Sequence, residues 1–134
     1  MTNPTELIPI LDLGTLKNVD LYLDAFYPRS KNAGDELAKV QISTAQIRGL
    51  ETLVTSTTRF SEILNYIKNQ AGKERKERKW SKVAPLLLRQ LEELEIEAQR
   101  LGQEPRRILD IKLRLAKGWA KQVVTNYLYE KSKG

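Results

Sequence analysis

The sequence has 134 residues, of which 40% are hydrophobic and 30% charged, a balance that fits one globular domain with a modest core. The absence of cysteine and histidine excludes disulfides, thiolate nucleophiles, imidazole bases and the usual zinc ligands. The net charge is +6, and the basic excess lies in residues 47–82 and 103–134, which favours a polyanionic partner.

Residues 1–17 predict an extended apolar arm at the start of a single helical domain that spans residues 1–134. Six apolar side chains of the arm are expected to pack either on the bundle or on a partner: Leu7, Ile8, Ile10, Leu11, Leu13 and Leu16. The arm lacks the basic region of a signal peptide, and no apolar run reaches the ~20 residues of a membrane span. We therefore expect a cytoplasmic protein without a membrane partner.

The first predicted helix is short and covers residues 19–26. It is expected to end before Pro28, because the residue in front of a proline avoids the helical conformation. Gly34 predicts a loop. Residues 35–40 are expected to add one or two further helical turns.

The strongest helix start in the sequence is a capping box at residues 43–46. In such a box the Ser43 hydroxyl accepts from the backbone N–H three residues on, and the Gln46 side chain reaches back. Apolar residues then follow a 3.6-residue period as far as Ile67, which predicts one long helix with a break near Gly72. Six residues share the opposite side of this helix: Arg48, Thr52, Thr55, Arg59, Tyr66 and Lys73.

Residues 73–82 form a basic run with six cations and two acids around Trp80. Cations of this kind can hold a phosphate backbone, and arginine can bind a phosphate with two hydrogen bonds. The run predicts either a contact with nucleic-acid phosphates or a solvated loop with internal salt bridges. Trp80 is expected either in the core or stacked on a base.

The third helix is predicted over residues 81–101, where Ala84, Leu87 and later apolar residues share one stripe. Pro85 is expected in its first turn, and Gly102 is expected to end it in a left-handed conformation. Four carboxylates of this helix are interpreted as a solvated face and not as a catalytic group: Glu92, Glu93, Glu95 and Glu97.

The fourth helix is predicted from residue 105 to about residue 130, with a wide apolar face that contains Trp119. A basic ridge lies on its other side: Arg107, Arg114, Lys117 and Lys121. The ridge is either a phosphate-binding surface or an ordinary solvent face, with Asp110 paired to Arg114 one turn away. Of Tyr127 and Tyr129, one is expected in the core and the other at an interface.

These elements predict an all-α fold, a small helical bundle of about four to five helices. The sequence contains neither a glycine-rich phosphate loop nor a serine nucleophile motif. We therefore expect a protein that is not an enzyme and that has no cofactor and no metal site.

The segment at residues 42–50, which reads Ile-Ser-Thr-Ala-Gln-Ile-Arg-Gly-Leu, resembles the start of the main helix in one protein family. That family is the small subunit of the type III-A CRISPR effector complex (the Csm complex), or a close type III relative. The later order is also similar: a basic stretch, a leucine-rich helix and a last helix that ends in tyrosines. Positions carried over from the motif are Ser43, Ile47 and Arg48.

The resemblance implies a non-catalytic helical subunit of an antiviral ribonucleoprotein. Several copies would stack along the guide–target RNA duplex and contact target-strand phosphates without reading the base sequence. The other implied partners are the large polymerase-like subunit and the backbone subunits of the complex. The present sequence departs from the family in its basic run at residues 73–79 and in its acidic third helix.

Ten cations are predicted to bind RNA, from the motif, the helical wheel and the basic clusters: Arg48, Arg59, Lys73, Arg75, Lys76, Arg78, Lys79, Arg114, Lys117 and Lys121. The main alternative is a helical adaptor that binds only protein, through the apolar arm and the acidic third helix. A DNA-binding regulator is a weaker alternative, because no short recognition helix with a tight turn before it is evident.

Overall fold

The computed structural model describes residues 11–134, which form five α-helices. Their bounds are Leu13–Lys39 for α1, Thr44–Ser56 for α2, Phe60–Lys73 for α3, Lys79–Gly102 for α4 and Pro105–Lys133 for α5. The predicted all-α bundle is confirmed, since no strand occurs between residues 11 and 134. The expectations for Leu7, Ile8 and Ile10 lie outside the described residues.

Successive helices alternate in direction, so that α1 and α5 run parallel and pack side by side. Near their starts Arg107 donates to the Thr15 hydroxyl over 3.2 Å, and further along the Tyr27 hydroxyl donates to Asn126 over 3.3 Å. Helix α4 runs antiparallel to both, with Lys112 of α5 bonded to Glu95 at 3.0 Å. The core between the helices contains Trp119, and its largest other buried side chains are Trp80, Tyr127 and Phe26.

Helix α1 begins at Leu13, so the prediction of an extended arm as far as residue 17 is wrong. Asp12 caps the helix, because its carboxylate accepts from the backbone N–H of Thr15 over 2.7 Å. This hydrogen bond lowers the pKa of the Asp12 carboxyl, and the nearby Arg107 charge adds to the effect. Leu11 packs partly buried against the core, whereas Leu13 is exposed.

Helix α1 also continues through Pro28 and Gly34, where the sequence predicted a stop and a loop. Pro28 is exposed, so the carbonyl that loses its helical partner there lies on the solvent side. Gly34 is buried where α1 crosses α5, and a Cβ at this position would lie 2.5 Å from the Val123 carbonyl oxygen. This glycine therefore provides a close approach of two helices and not a turn.

The Ser43 cap of α2 is confirmed, with the Ser43 hydroxyl accepting from the Gln46 N–H over 3.2 Å. The Gln46 side chain, however, bonds to the Ser43 hydroxyl and to Gln70, and not to the backbone of residue 43. The predicted long helix breaks at residues 57–59. Thr55 and Ser56 direct their hydroxyls to backbone carbonyls of the preceding turn, and Thr57 is extended, which ends the helix.

Helix α4 begins at Lys79, two residues before the predicted start, so Pro85 lies in the second turn and not in the first. Its ring is exposed, as Pro28 is in α1. The residue with a positive φ after the helix is Gln103, with φ 69° and ψ −31°, and not Gly102. Gly102 is buried, and a Cβ at this position would lie 2.7 Å from the Ile108 side chain. The glycine therefore permits the tight connection between α4 and α5.

One buried glutamine links three helices. Gln90 of α4 accepts from the Trp119 indole N–H of α5 over 2.8 Å, and its amide donates to the Arg29 carbonyl of α1 over 2.8 Å. Gln90 and Trp119 are both buried, so neither can exchange these partners for bulk water.

Replacement of Gln90 by leucine is therefore expected to lower the free energy of unfolding by about 1–3 kcal/mol, because the buried indole N–H loses its acceptor. Urea denaturation followed by circular dichroism measures the change. Gln99→Leu is the matched control: this residue is exposed on the same helix, and its exchange is expected to stay within about 0.5 kcal/mol. Equal midpoints for the two variants would contradict the role of Gln90.

Candidate nucleic-acid interface

The ten predicted cations divide into two groups by their electrostatic partners. Three form ion pairs with a neighbouring glutamate: Arg48 with Glu51, Arg59 with Glu62 and Lys79 with Glu77. Seven are exposed and form no ion pair with any residue between 11 and 134: Lys73, Arg75, Lys76, Arg78, Arg114, Lys117 and Lys121. A cation without a carboxylate partner has its full charge available to an anion.

Four of these seven cations lie in the loop between α3 and α4 or directly beside it. Glu74 does not neutralise them, because its carboxylate accepts from the backbone N–H groups of Trp80 and Ser81 at 2.7 and 3.3 Å. It thereby caps α4 in place of Arg78, which is left-handed with φ 52° and makes no side-chain cap. The fold thus uses one of the two acids of the basic run for helix capping.

Lys79 is the predicted cation that the loop holds most firmly. Its ammonium group donates to the Gln41 carbonyl over 3.2 Å and lies 3.0 Å from the Glu77 carboxylate. These contacts fix the α3–α4 loop against the turn between α1 and α2. Lys79 consequently positions the loop more than it offers charge to a ligand.

Arg48 and Arg59 do not share one face, because the helix that was predicted to carry both is broken between them. Thr44 accepts from Lys131 of α5 over 2.8 Å, and Arg48 follows one turn later on the same edge of α2. Arg59 precedes α3 and lines a shallow groove between α2 and α3 with Leu53.

The α5 ridge lines a groove of about 690 Å³ between α1 and α5. Arg114, Lys117 and Lys121 lie along it, and four leucines together with Asp20 and Asp110 also line it. The predicted ion pair between Asp110 and Arg114 is absent from the described part of the chain, although both residues line the groove. Three neighbouring cations therefore face solvent along about two turns of helix.

Arg107, which the sequence placed on the same ridge, has a structural role. Its guanidinium donates to the Thr15 hydroxyl and lies 4.0 Å from the Asp12 carboxylate, so it ties the start of α5 to the cap of α1.

The loop cations and the end of α5 lie at the same end of the bundle. Lys79 attaches the loop to Gln41, and the Tyr127 hydroxyl of α5 donates to the carbonyl of Ile42 in the adjoining turn. Lys39, exposed in the last turn of α1, adds a cation here that has no ion pair among residues 11–134 and that was not among the ten predicted cations. The sequence could have indicated this cation, because a lysine in the last turn of a helix is favoured by the negative end of the helix dipole.

The two tryptophans both belong to the core. Trp119 was expected there, and Trp80 is also fully buried, so the alternative that it stacks on a base is wrong. Its ring packs edge-on against Tyr66 at a centroid distance of 6.2 Å. Tyr66 is half-buried, which raises the pKa of its hydroxyl, and this hydroxyl donates to the Gln46 carbonyl. Tyr66 therefore does not belong to the solvent face predicted for it.

Three of the four acids of α4 form ion pairs. Glu93 pairs with Arg29 of α1, Glu95 with Lys112 of α5, and Glu97 with Arg100 of its own helix. Two of these pairs connect helices, so the acidic stretch is less of a free solvated face than the sequence predicted. Glu92 alone stays exposed without an ion pair among residues 11–134.

The prediction that one of Tyr127 and Tyr129 lies in the core is confirmed. Tyr127 is fully buried, and Tyr129 is exposed. Among residues 11–134 no cluster of carboxylates has an arrangement that could hold a metal ion. The helices of the same region are too short or too polar to cross a bilayer.

No family model matches this sequence, and no curated protein or solved structure matches it either. The resemblance to a type III small subunit accordingly rests on residues 42–50 and on the order of the later elements.

Proposed function

We propose that this chain is a non-catalytic small subunit of a type III CRISPR ribonucleoprotein effector that acts in the cytoplasm. In this role it contacts target RNA phosphates without reading the base sequence. The observation that supports the proposal best is the set of seven exposed cations without an ion pair among the described residues, three on the α5 ridge and four in or beside the α3–α4 loop. The motif at residues 42–50 adds the link to type III effectors.

Phosphate contacts of this kind are electrostatic and independent of base sequence. Each cation contributes little by itself, so one chain is expected to bind RNA weakly. Several copies stacked along a guide–target duplex would share a high effective concentration and hold it firmly. The large polymerase-like subunit and the backbone subunits are the further partners of this proposal, and catalysis belongs to them.

The proposal predicts a strong dependence of RNA affinity on salt. If about three to five phosphates are contacted, the logarithm of the association constant should fall with the logarithm of salt concentration, with a slope of about −2 to −4 on single strands. Fluorescence anisotropy with two RNAs of unrelated sequence measures the slope, and the two are expected to agree. An affinity that is absent at low salt, or that does not change with salt, would contradict the proposal.

A protein-only adaptor is the second candidate, and exposed apolar side chains favour it. Leu13, Leu21 and Ile96 are exposed by 71%, 69% and 60%, and a protein partner could bury them. A complex with a protein partner that forms equally well at low and high salt, together with no RNA binding, would support the adaptor instead.

A further inference from the structure

Two tyrosine rings lie exposed at the seam between α1 and α5. Tyr27 of α1 is 42% exposed and Tyr129 of α5 is 61% exposed. The Tyr27 hydroxyl donates to Asn126 at 3.3 Å, and Asn126 precedes Tyr129 by three residues, about one helical turn. The two rings therefore flank the same short stretch of the seam.

Tyr129 also continues the basic ridge of α5. At about 100° per residue, Arg114, Lys121 and Tyr129 lie within roughly 80° of one another around the helix, and all three are exposed. They span about 22 Å of helix at about 1.5 Å per residue. The strip therefore begins with cations and ends with an aromatic ring.

Further cations surround the two rings. The Lys133 ammonium lies 4.6 Å from the centroid of the Tyr129 ring, and Lys31 is one turn beyond Tyr27 on α1. The hydrogen bond from Lys133 to Glu130 raises the pKa of Lys133, and the positive charge of Lys31 opposes this increase. Both ammonium groups are paired with carboxylates, Lys31 with Asp35 at 2.8 Å and Lys133 with Glu130 at 3.0 Å, so the free positive charge of the strip comes from Arg114 and Lys121.

We infer that this seam binds single-stranded RNA, with Tyr27 and Tyr129 stacking on unpaired bases while Arg114 and Lys121 contact the phosphates. The inference rests on the proposed function and deepens it. A row of cations alone can bind the phosphates of a duplex or of a single strand. Exposed aromatic rings, in contrast, stack only on bases that are free to leave their neighbours. Cations along a strip together with aromatic side chains are the combination that single-stranded nucleic acid requires.

The test compares three RNA ligands of equal length: a single strand, the same strand with abasic ribose in place of its bases, and a duplex. Tyr27→Leu and Tyr129→Leu are each expected to lower the affinity for the single strand by about 5- to 150-fold, the range for loss of one stacked base. Both variants should bind the abasic strand and the duplex as the parent does. Tyr27→Phe and Tyr129→Phe keep the ring and are expected to keep the affinity.

A second readout uses a strand that contains the fluorescent base 2-aminopurine. Stacking on a tyrosine should change its emission on binding to the parent and to the phenylalanine variants, and this change should be lost when both tyrosines are replaced by leucine. Thermal unfolding verifies that each variant is folded, and exposure of both rings makes a large loss of stability unexpected.

The possible failures separate the two proposals. If the leucine variants bind the single strand as well as the parent while RNA binding still falls with salt, the stacking inference is overturned and the proposed function stands. If the leucine variants lose as much affinity for the abasic strand as for the normal strand, the inference is also overturned, because the rings would then act through the phosphate contacts. A parent that binds no RNA at low salt overturns both.

Discussion

Replacement of Gly34 by alanine is expected to lower the free energy of unfolding by about 1–2 kcal/mol. The added Cβ would lie 2.5 Å from the Val123 carbonyl oxygen and 2.9 Å from the Tyr127 backbone nitrogen. Both are backbone atoms of α5, so no side-chain rotation relieves the overlap and the two helices must separate. Overpacking of this kind costs about 1–3 kcal/mol, occasionally more, which outweighs the gain of about 1 kcal/mol from alanine's helix propensity.

Gly72→Ala is the matched control for this experiment. Gly72 lies in α3, is exposed, and has no atom within 4 Å of an added Cβ. Its replacement is expected to leave the stability unchanged or to raise it by up to about 1 kcal/mol through helix propensity. Denaturant unfolding of both variants gives the comparison. A Gly34→Ala protein as stable as the Gly72→Ala protein would contradict the close approach of α1 and α5 at Gly34.

The largest expected effect on RNA binding comes from neutralising the α5 ridge. If Arg114, Lys117 and Lys121 each contact one phosphate, replacement of all three by glutamine should lower the salt slope by about 2, since each contact contributes about 0.7 on a single strand. The same relation gives an affinity loss of about 100-fold at roughly 0.1 M salt. Replacement of the loop cations Lys73 and Arg75 by glutamine should also lower the salt slope and the RNA affinity.

The control for the ridge variant carries the same change of net charge elsewhere. Arg29, Arg89 and Arg100 lie exposed on the α1–α4 side, and Arg29 and Arg100 are already paired with glutamates. Their joint replacement by glutamine is expected to change RNA affinity much less than the ridge variant, because exposed charges at a distance are screened. Equal losses in the two triple variants would mean that net charge, and not the ridge, determines binding.

Much of the interface depends on how acids are distributed as well as on where cations lie. The sequence placed two acids within the basic run, and either could have neutralised it. In the folded chain Glu74 caps α4 through two backbone N–H groups and Glu77 pairs with Lys79. The remaining loop cations stay unpaired with the described residues because capping consumes a carboxylate, a consequence that charge counting alone does not reveal.

The sequence by itself determined the features that depend on neighbouring residues. The Ser43 cap, the start of α5 at Pro105 and the apolar faces around Trp119 were all predicted, and each follows from hydrogen bonds or side-chain spacing within a few residues. The all-α class follows in the same way, since helical periodicity extends over most of the chain. Local interactions of this kind require no knowledge of which helix packs on which.

Only the tertiary structure decided the features that depend on contacts distant in sequence. Pro28 is tolerated inside α1 because the packing of that helix places its ring in solvent, and Gly34 is needed because α5 lies against it. The burial of Trp80 and the separation of Arg48 from Arg59 likewise follow from how α2, α3 and α4 assemble. The physical reason is that packing free energy between helices exceeds the local preference of a single proline or glycine, so these residues acquire their roles from partners that the sequence pattern does not identify.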